Sequence, residues 1–289
     1  MLQLNSLIKT QMDNNLKGID MVVGAKGSPL QLILSAVYHI DSPTGNISVE
    51  DAKKIKNNRM VGSSIDLLYG DNYKGYRIVG TEKKFLDLYN AKIKDGRKWD
   101  KPLEVVVGSK IHSKLNISLD DELISSHGLR EIGEQHTDQL FKVVGLLEPS
   151  NSVIDQLIVT SPQSIWDLHD EHDHDDEHDH DEEHDHDDEH DHDDEHDHDD
   201  EHDHDDKEIT AMLIKFKSPM NIIQFPRQIN EDTNLQAAVP SYEISRLFKL
   251  FGFGIETLTY LAYLIIIVSG FWLFINLFNF MSEIRYEMA

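Results

Sequence analysis

Residues 258–280 read LTYLAYLIIIVSGFWLFINLFNF, and the interpretation of the whole chain starts from them. These 23 residues carry no charge. As an α-helix they measure roughly 35 Å, enough for a hydrocarbon layer of about 30 Å. The alternative is a core helix of a soluble protein, which would be shorter and would show a polar face. The stretch therefore predicts a membrane-spanning helix that follows a large polar region.

The negative charge of the chain is concentrated in one tract. The formal net charge is −26, but 25 of the 53 acidic residues lie between Asp170 and Asp206, where there is no basic residue. The other 28 acidic residues are balanced by 27 basic ones. A near-neutral body offers no basic surface for nucleic acid, so we expect no nucleic-acid partner.

The sequence carries no motif of catalysis. It has no cysteine, which excludes disulfides and thiolate metal sites. Residues 107–110 (VGSK) follow an apolar run, but they lack the first glycine of a phosphate loop and the Ser or Thr after its lysine. There is no G-x-S-x-G and no H-E-x-x-H motif. We therefore expect no enzymatic activity and no required cofactor.

Strands and helices alternate along the polar region. Strands are expected at residues 64–69, 76–79, 103–107, 140–147, 156–160 and 209–216, and helices at 49–58, 85–90 and 162–168. Ser48 is expected to cap the first of these helices, and the turn residues 70–72 (GDN) predict a hairpin between the first two strands. Residues 30–40 fit a strand or a helix equally well. The pattern predicts an α+β domain with a mixed sheet.

The first 18 residues favour an amphipathic helix that ends near Gly18. Apolar residues recur at helical spacing, but there is no uninterrupted apolar core of a signal peptide. A domain before a single spanning helix then has no visible route of export. Either it stays in the cytoplasm as a tail-anchored protein, or another spanning helix precedes Met1. The amphipathic helix itself is either a stalk or part of the core packing.

A histidine-rich repeat fills residues 171–206. The hexad E-H-D-H-D-D occurs six times, with Glu182 as the only departure. Because the repeat has no apolar residue to bury, we expect a disordered loop. Imidazole binds zinc, nickel and copper, and a mobile chain can gather several imidazoles around one ion. The hypothesis is a low-specificity collector or sensor of such ions, and the alternative is a solvated spacer whose metal binding is incidental.

The candidate metal ligands are the histidines of this tract together with the one just before it, 13 of the 17 in the chain. They are His169, His172, His174, His178, His180, His184, His186, His190, His192, His196, His198, His202 and His204. His127 and His136 lie in a polar loop and are weaker candidates, which with His169 would make a fixed site.

Several short motifs follow one another in a defined order. They are residues 48–52 (SVEDA), 78–81 (IVGT), 95–97 (DGR), 104–108 (EVVVG), 141–147 (FKVVGLL) and 155–159 (DQLIV). In this order they resemble the extracytoplasmic domain of FtsX-like, MacB-type ABC transporter permeases. The apolar helix followed by residues 285–289 (RYEMA) is similar to the second membrane helix of that family and to the opening of its cytoplasmic coupling segment. The resemblance covers residues 19–289 apart from the histidine tract.

The resemblance implies a fragment of a permease with an α+β, mixed-sheet outer domain of MacB type. The expected layout is an amphipathic stalk helix (1–18), the outer domain in two parts (19–168 and 208–239), a disordered His/Asp-rich loop between them (169–207), a stalk helix (240–257), the transmembrane helix (258–280) and the start of the coupling segment (281–289). The family's first membrane helix and its two later ones are not within this sequence. A missing first helix would explain the absent export signal.

The resemblance also implies a function. The chain would be the permease subunit of an ABC transporter in a bacterial inner membrane, in which a cytoplasmic ATPase binds the coupling segment and drives movement of the outer domain. Arg285 and Glu287 are the candidate coupling residues. The outer domain would act on a lipoprotein, a peptide or a metal-linked substrate. Further expected partners are membrane lipid, a second permease subunit in a homodimer or pair, and a lipoprotein or periplasmic protein.

Two alternatives remain open. One is a membrane-tethered periplasmic metal-binding protein with no ATPase partner, whose histidine loop binds zinc, nickel or copper. The other is a cell-division regulator that activates a wall hydrolase.

One observation disagrees with the expected orientation. Arg246 and Lys249 precede the apolar segment, on the side that the resemblance places outside, whereas the positive-inside rule expects basic residues on the cytoplasmic side.

Overall fold

The computed structural model describes residue 12 and residues 14–16, 18–126, 135–170 and 207–287. The chain forms two compact units, Met1–Ser241 and Tyr242–Ala289. Most of the amphipathic helix predicted at residues 1–18 and the whole histidine repeat at 171–206 lie outside the described residues. Both therefore stay predictions.

The first unit is built around strands. They are β1 (Met21–Ala25), β2 (Ile47–Ser48), β3 (Val61–Tyr73), β4 (Tyr76–Thr81), β5 (Ile93–Gly96), β6 (Glu104–Val107), β7 (Glu122–Ser126), β8 (Gln135–Leu147), β9 (Ile158–Thr160), β10 (Glu208–Ile209), β11 (Ala211–Phe216) and β12 (Leu235–Ala238). Ten of these form one sheet in the order β12-β1-β11-β3-β4-β9-β6-β8-β5, with β7 paired to β3 and β8. The pairs β4/β9 and β6/β8 are parallel and the others antiparallel. The predicted α+β fold with a mixed sheet is confirmed.

Helices connect these strands. They are α1 (Pro29–Ala36), α2 (Val49–Lys56), α3 (Lys84–Leu88), α4 (Ser109–Leu115), α5 (Pro162–Asp170) and α6 (Asn221–Asp232), with a short 3₁₀ turn at Val153–Gln156. The last helix, α7 (Pro240–Glu287), has 48 residues, and its residues from Tyr242 onward belong to the second unit.

Local capping explains where two of the helices begin. The Ser48 hydroxyl accepts a hydrogen bond from the Asp51 amide at 3.1 Å, as predicted for α2. Residues 30–40, whose sequence fitted a strand or a helix equally well, lie largely in the helix α1. Ser28 caps this helix and Pro29 occupies its first turn, where proline is favoured because its fixed φ suits a helix start.

Helices cover both faces of the sheet. Val22 of β1 lies opposite Leu213 of β11, and α1 packs on this side, which we call the α1 face. The alternate residues Val23 and Met212 point to the other side, the α2 face, and belong to a buried core with side chains of α2, α5 and α6. β1 is therefore buried on both faces, which explains its unbroken apolar sequence.

The hairpin between β3 and β4 forms, but its turn was predicted at the wrong place. β3 continues through residues 70–72, and the chain reverses at Lys74 and Gly75, which have φ angles of 48° and 79°. Two consecutive positive φ angles match the twist of a two-residue hairpin. Gly70 has a packing role instead, since a Cβ there would lie 2.6 Å from Cδ1 of Ile165 in α5.

Candidate functional site

The apolar segment lies within α7. Among the described residues, the stretch Tyr260–Leu277 is the one that is long and apolar enough to cross a membrane, and none of it is buried. The side-chain amide of Asn276 donates a hydrogen bond to the Trp272 carbonyl one turn earlier, at 3.0 Å. One N–H of the Asn276 amide is thus satisfied within the helix, which lowers the cost of placing the side chain in hydrocarbon. By length and composition the segment fits a membrane span.

The two predicted coupling residues lie at the far end of the same helix. Arg285 and Glu287 are in the last turn of α7, beyond the apolar stretch. Their backbone position agrees with a segment that leaves the membrane, while their contact with an ATPase stays a prediction.

The predicted metal ligands are not brought together by the described part of the chain. His172 to His204 and His127 lie outside it, His169 lies near the end of α5, and His136 lies near the start of β8. Among the described residues no group of three or more His, Asp or Glu side chains is arranged to hold a metal ion. The metal site therefore stays a hypothesis about the repeat.

A buried polar cluster on the first unit was not predicted from the sequence. His39 follows α1, Tyr69 lies on β3, and Arg77 lies on β4. The Arg77 guanidinium stacks over the Tyr69 ring at 4.3 Å and donates from Nη2 to the Asp41 carbonyl at 2.8 Å. The His39 ring lies 5.6 Å from the Tyr69 ring, measured between centroids. His39 and Arg77 are both buried.

Hydrogen bonding determines the tautomer of the His39 ring. The Tyr69 hydroxyl donates to the Ser35 carbonyl and lies 3.0 Å from Nδ1 of His39. Since that hydroxyl has only one proton, Nδ1 must donate to the Tyr69 oxygen. Nε2 then carries a lone pair, and within the described residues it is buried without a hydrogen-bond partner, as is Nη1 of Arg77.

Burial also decides the charges in the cluster. Burial lowers the pKa of His39 to about 3, and the positive charge of Arg77 contributes to the shift. Burial raises the pKa of the Tyr69 hydroxyl, against the opposing effect of Arg77. At neutral pH the cluster therefore holds a neutral imidazole, a neutral phenol and a single cation.

The cluster has a structural role. It ties the end of α1 to the β3–β4 hairpin, and the Phe85 ring of α3 packs edge-on against His39 at 6.2 Å. The sequence gives little sign of it, because the three polar residues lie 8 to 38 positions apart and become neighbours only through strand pairing and helix packing. The one sign in the sequence is the position of His39 near the end of the mostly apolar residues 30–40.

The segment that faintly looked like a phosphate loop has a different explanation. Gly108 lies between β6 and α4, and its amide donates to the Leu157 carbonyl at 2.9 Å. A Cβ at this position would lie 2.4 Å from the Ile154 carbonyl oxygen. The glycine is needed for close approach of two backbone segments, and its amide already has a partner.

Comparisons with known proteins give similarities of structure only. The sequence matches no known protein family and no curated protein. The structure is similar to the periplasmic region of MacB from Actinobacillus actinomycetemcomitans, with 10% identity and a TM-score of 0.49 over 83% of this chain and 98% of that one. The extracellular domain of the noncanonic ABC-type transporter YknZ from Gram-positive bacteria gives 12% identity and a TM-score of 0.41 over 75% of this chain and 98% of that one.

A third similar structure is a domain of a protein assigned as a permease, from Porphyromonas gingivalis. It is 12% identical to this chain, with a TM-score of 0.38 over 78% of this chain and 90% of that one.

Proposed function

We propose that this chain is the permease part of an ABC-type transporter, with its α+β domain on the outer side of a bacterial cell membrane. One observation carries the proposal. The last strand of the sheet, β12, ends at Ala238, and α7 begins at Pro240 and continues without a break through the apolar stretch Tyr260–Leu277. A single residue, Val239, separates a sheet from a membrane-spanning helix.

This connection suits the transmission of force. A long flexible linker would absorb a displacement of the helix, whereas one residue of chain passes it to β12. β12 pairs with β1 along four residues, from Val22 opposite Ala238 to Ala25 opposite Leu235, and β1 pairs in turn with β11. A pull on the helix would therefore reach the buried centre of the sheet.

The motor in this proposal is a cytoplasmic ATPase that binds beyond the apolar stretch. The test is co-purification of an ABC ATPase with the protein, extracted from its own host in mild detergent. The double variant Arg285→Glu/Glu287→Arg is expected to lose most of the bound ATPase, because both charges are reversed at the proposed contact. Lys249→Glu, before the apolar stretch on the same helix, is the matched control and is expected to keep it.

Two results would contradict the transporter assignment. One is that no ATPase is recovered from the host under any mild extraction while the protein binds zinc tightly, which would favour a tethered metal-binding protein. The other is recovery of a wall hydrolase in place of an ATPase, which would favour a cell-division regulator. An ATPase that binds equally well to the charge-reversed variant would refute only the roles of Arg285 and Glu287.

We also propose that the histidine repeat binds zinc, nickel or copper in the outer compartment. The support is its composition, twelve imidazoles interspersed with carboxylates between α5 and β10. Equilibrium dialysis of the full chain against zinc is expected to show several bound ions. A variant with the repeat histidines replaced by asparagine keeps every carboxylate and is expected to lose most of them. Equal binding by both forms would assign the metal to the carboxylates.

A further inference from the structure

A groove of about 280 Å³ lies on the α1 face of the sheet. Its floor is formed by Ile65 of β3 and Leu213 of β11, which lie directly opposite each other in the strand pairing. Ile19 and Leu88 line its sides. The floor is apolar because Ile65, Leu213 and Ile19 are apolar residues, and since each is buried, only a small part of its surface faces the groove.

One end of the groove is cationic. Lys215 is the next residue of β11 on the same face, opposite Ser63 of β3, and Lys84 of α3 lies at the same groove. Both lysines and Ser63 are exposed. Lys84 contacts Glu82 at 2.5 Å, whereas the side chain of Lys215 has no ion-pair partner in the part of the chain that the structure describes. Of the described residues that line the groove, none is acidic.

We propose that this groove binds a single-chain amphiphile with an anionic headgroup, of the class of a medium-chain fatty acid. The acyl chain would lie on the Ile65–Leu213 floor, where apolar surface leaves water. The carboxylate would lie at the polar end, where it accepts hydrogen bonds from Lys215 and from the Ser63 hydroxyl. The proposal does not depend on the transporter assignment.

Size and charge select this ligand over others. At about 280 Å³ the groove lies just below the usual range for ligand sites, which runs from roughly 300 to 1,000 Å³. It has room for part of one chain and not for a diacyl phospholipid. A neutral alcohol of the same length would bury the same apolar surface but would leave the cationic end without its counter-charge.

The test uses the full chain in lipid nanodiscs and a decanoic acid that carries a photoreactive diazirine near the end of its chain. After irradiation, mass spectrometry locates the adducts, so partition of the probe into lipid does not obscure the result. Adducts are expected on the peptides that contain Ile65, Leu88 and Leu213. Excess decanoate is expected to suppress them, and decanol to suppress them several-fold less.

Charge variants complete the test. Lys84→Gln/Lys215→Gln is expected to lower the yield at these peptides by roughly fivefold, the scale of exposed charge pairs. Lys110→Gln, an exposed lysine of α4 outside the groove, is the matched control and is expected to leave the yield unchanged. Adducts confined to α7, equal competition by decanol, or an unchanged yield in the double variant would each overturn the proposal.

Discussion

His39 shows how one buried side chain links folding to pH. Its imidazole donates from Nδ1 to the Tyr69 hydroxyl and lies beside the Arg77 cation, so a second proton would place two positive charges in one buried cluster. The folded protein therefore resists protonation of His39 far below the usual pKa of a histidine.

The sign of the resulting pH dependence is fixed by the direction of the shift. The pKa of His39 is 6.5 in the unfolded chain and about 3 in the folded one. The stabilisation is complete above pH 6.5 and is lost as the pH falls toward 3, by about 1.4 kcal/mol per pH unit. We expect the free energy of unfolding, followed by fluorescence of the buried Trp99, to fall between pH 6.5 and 5 with this slope.

The matched variant is His39→Asn. His39 has a φ angle of 57°, which asparagine tolerates, and the amide of asparagine can replace the Nδ1 donor without titrating. In this variant the slope of the free energy of unfolding between pH 6.5 and 5 is expected to be smaller by about 1.4 kcal/mol per pH unit, the contribution of one titrating group. Equal slopes of the free energy of unfolding for the two proteins would show that the fold does not lower the pKa of His39.

Two glycines allow a test of backbone packing. A Cβ at Gly108 would meet the Ile154 carbonyl oxygen at 2.4 Å, whereas a Cβ at Gly24 would meet the end of the Leu32 side chain at 2.6 Å. Backbone yields less easily than a side-chain end, so Gly108→Ala is expected to destabilise the first unit by about 1–3 kcal/mol and Gly24→Ala by less. Denaturant unfolding of the two variants measures the difference, and an equal or reversed order would contradict it.

At the scale of elements, the clearest local signals were interpreted correctly. Ser48 was expected to cap the helix that is α2, and a helix was expected from residue 240, where α7 begins. The position of the hairpin turn was wrong because Gly70 is needed for contact with Ile165, a partner 95 residues away that local sequence does not show.

Two helices had no local signal strong enough to predict them. α4 is only seven residues long and follows a glycine, and α6 contains Pro226. Their formation depends on tertiary contacts, since Ile111 of α4 and Phe225 of α6 are buried in the core of the α2 face. Packing of one apolar side outweighs weak helix propensity in both.

The true turn of the hairpin can be tested by stabilising it. Lys74 has a φ angle of 48° and precedes Gly75, so Lys74→Asn creates the Asn-Gly pair that this kind of turn favours. We expect the first unit to gain about 0.5–1 kcal/mol in its free energy of unfolding, on the scale of compatible turn substitutions. Lys92→Asn, at an exposed lysine without a positive φ, is the control. No gain over the control would contradict a turn at Lys74–Gly75.

At the scale of the whole molecule, the sequence predicted the apolar segment and the mixed sheet, but it did not predict the buried cluster or the groove. The apolar stretch and the mixed sheet follow from charge, length and alternation, which are properties of local sequence. The His39 cluster and the groove at Lys215 require strands from distant parts of the chain to pair, so no local pattern reveals them. The proposed metal and coupling residues lie in the repeat or at the end of α7.

The central claim is that α7 crosses a membrane and separates an outer domain from a cytoplasmic contact. The 289 residues contain no cysteine, so single cysteines report the side of the membrane directly. The measurement is labelling of Lys53→Cys, exposed on α2, and of Arg285→Cys, in the protein as its own gene encodes it, in host cells with the outer envelope made permeable. Any cysteine outside these residues is replaced by serine.

A maleimide that cannot cross the inner membrane is expected to label Lys53→Cys at once and Arg285→Cys only after that membrane is broken. Labelling of both positions before the membrane is broken, protection of both, or the reverse order would contradict the account.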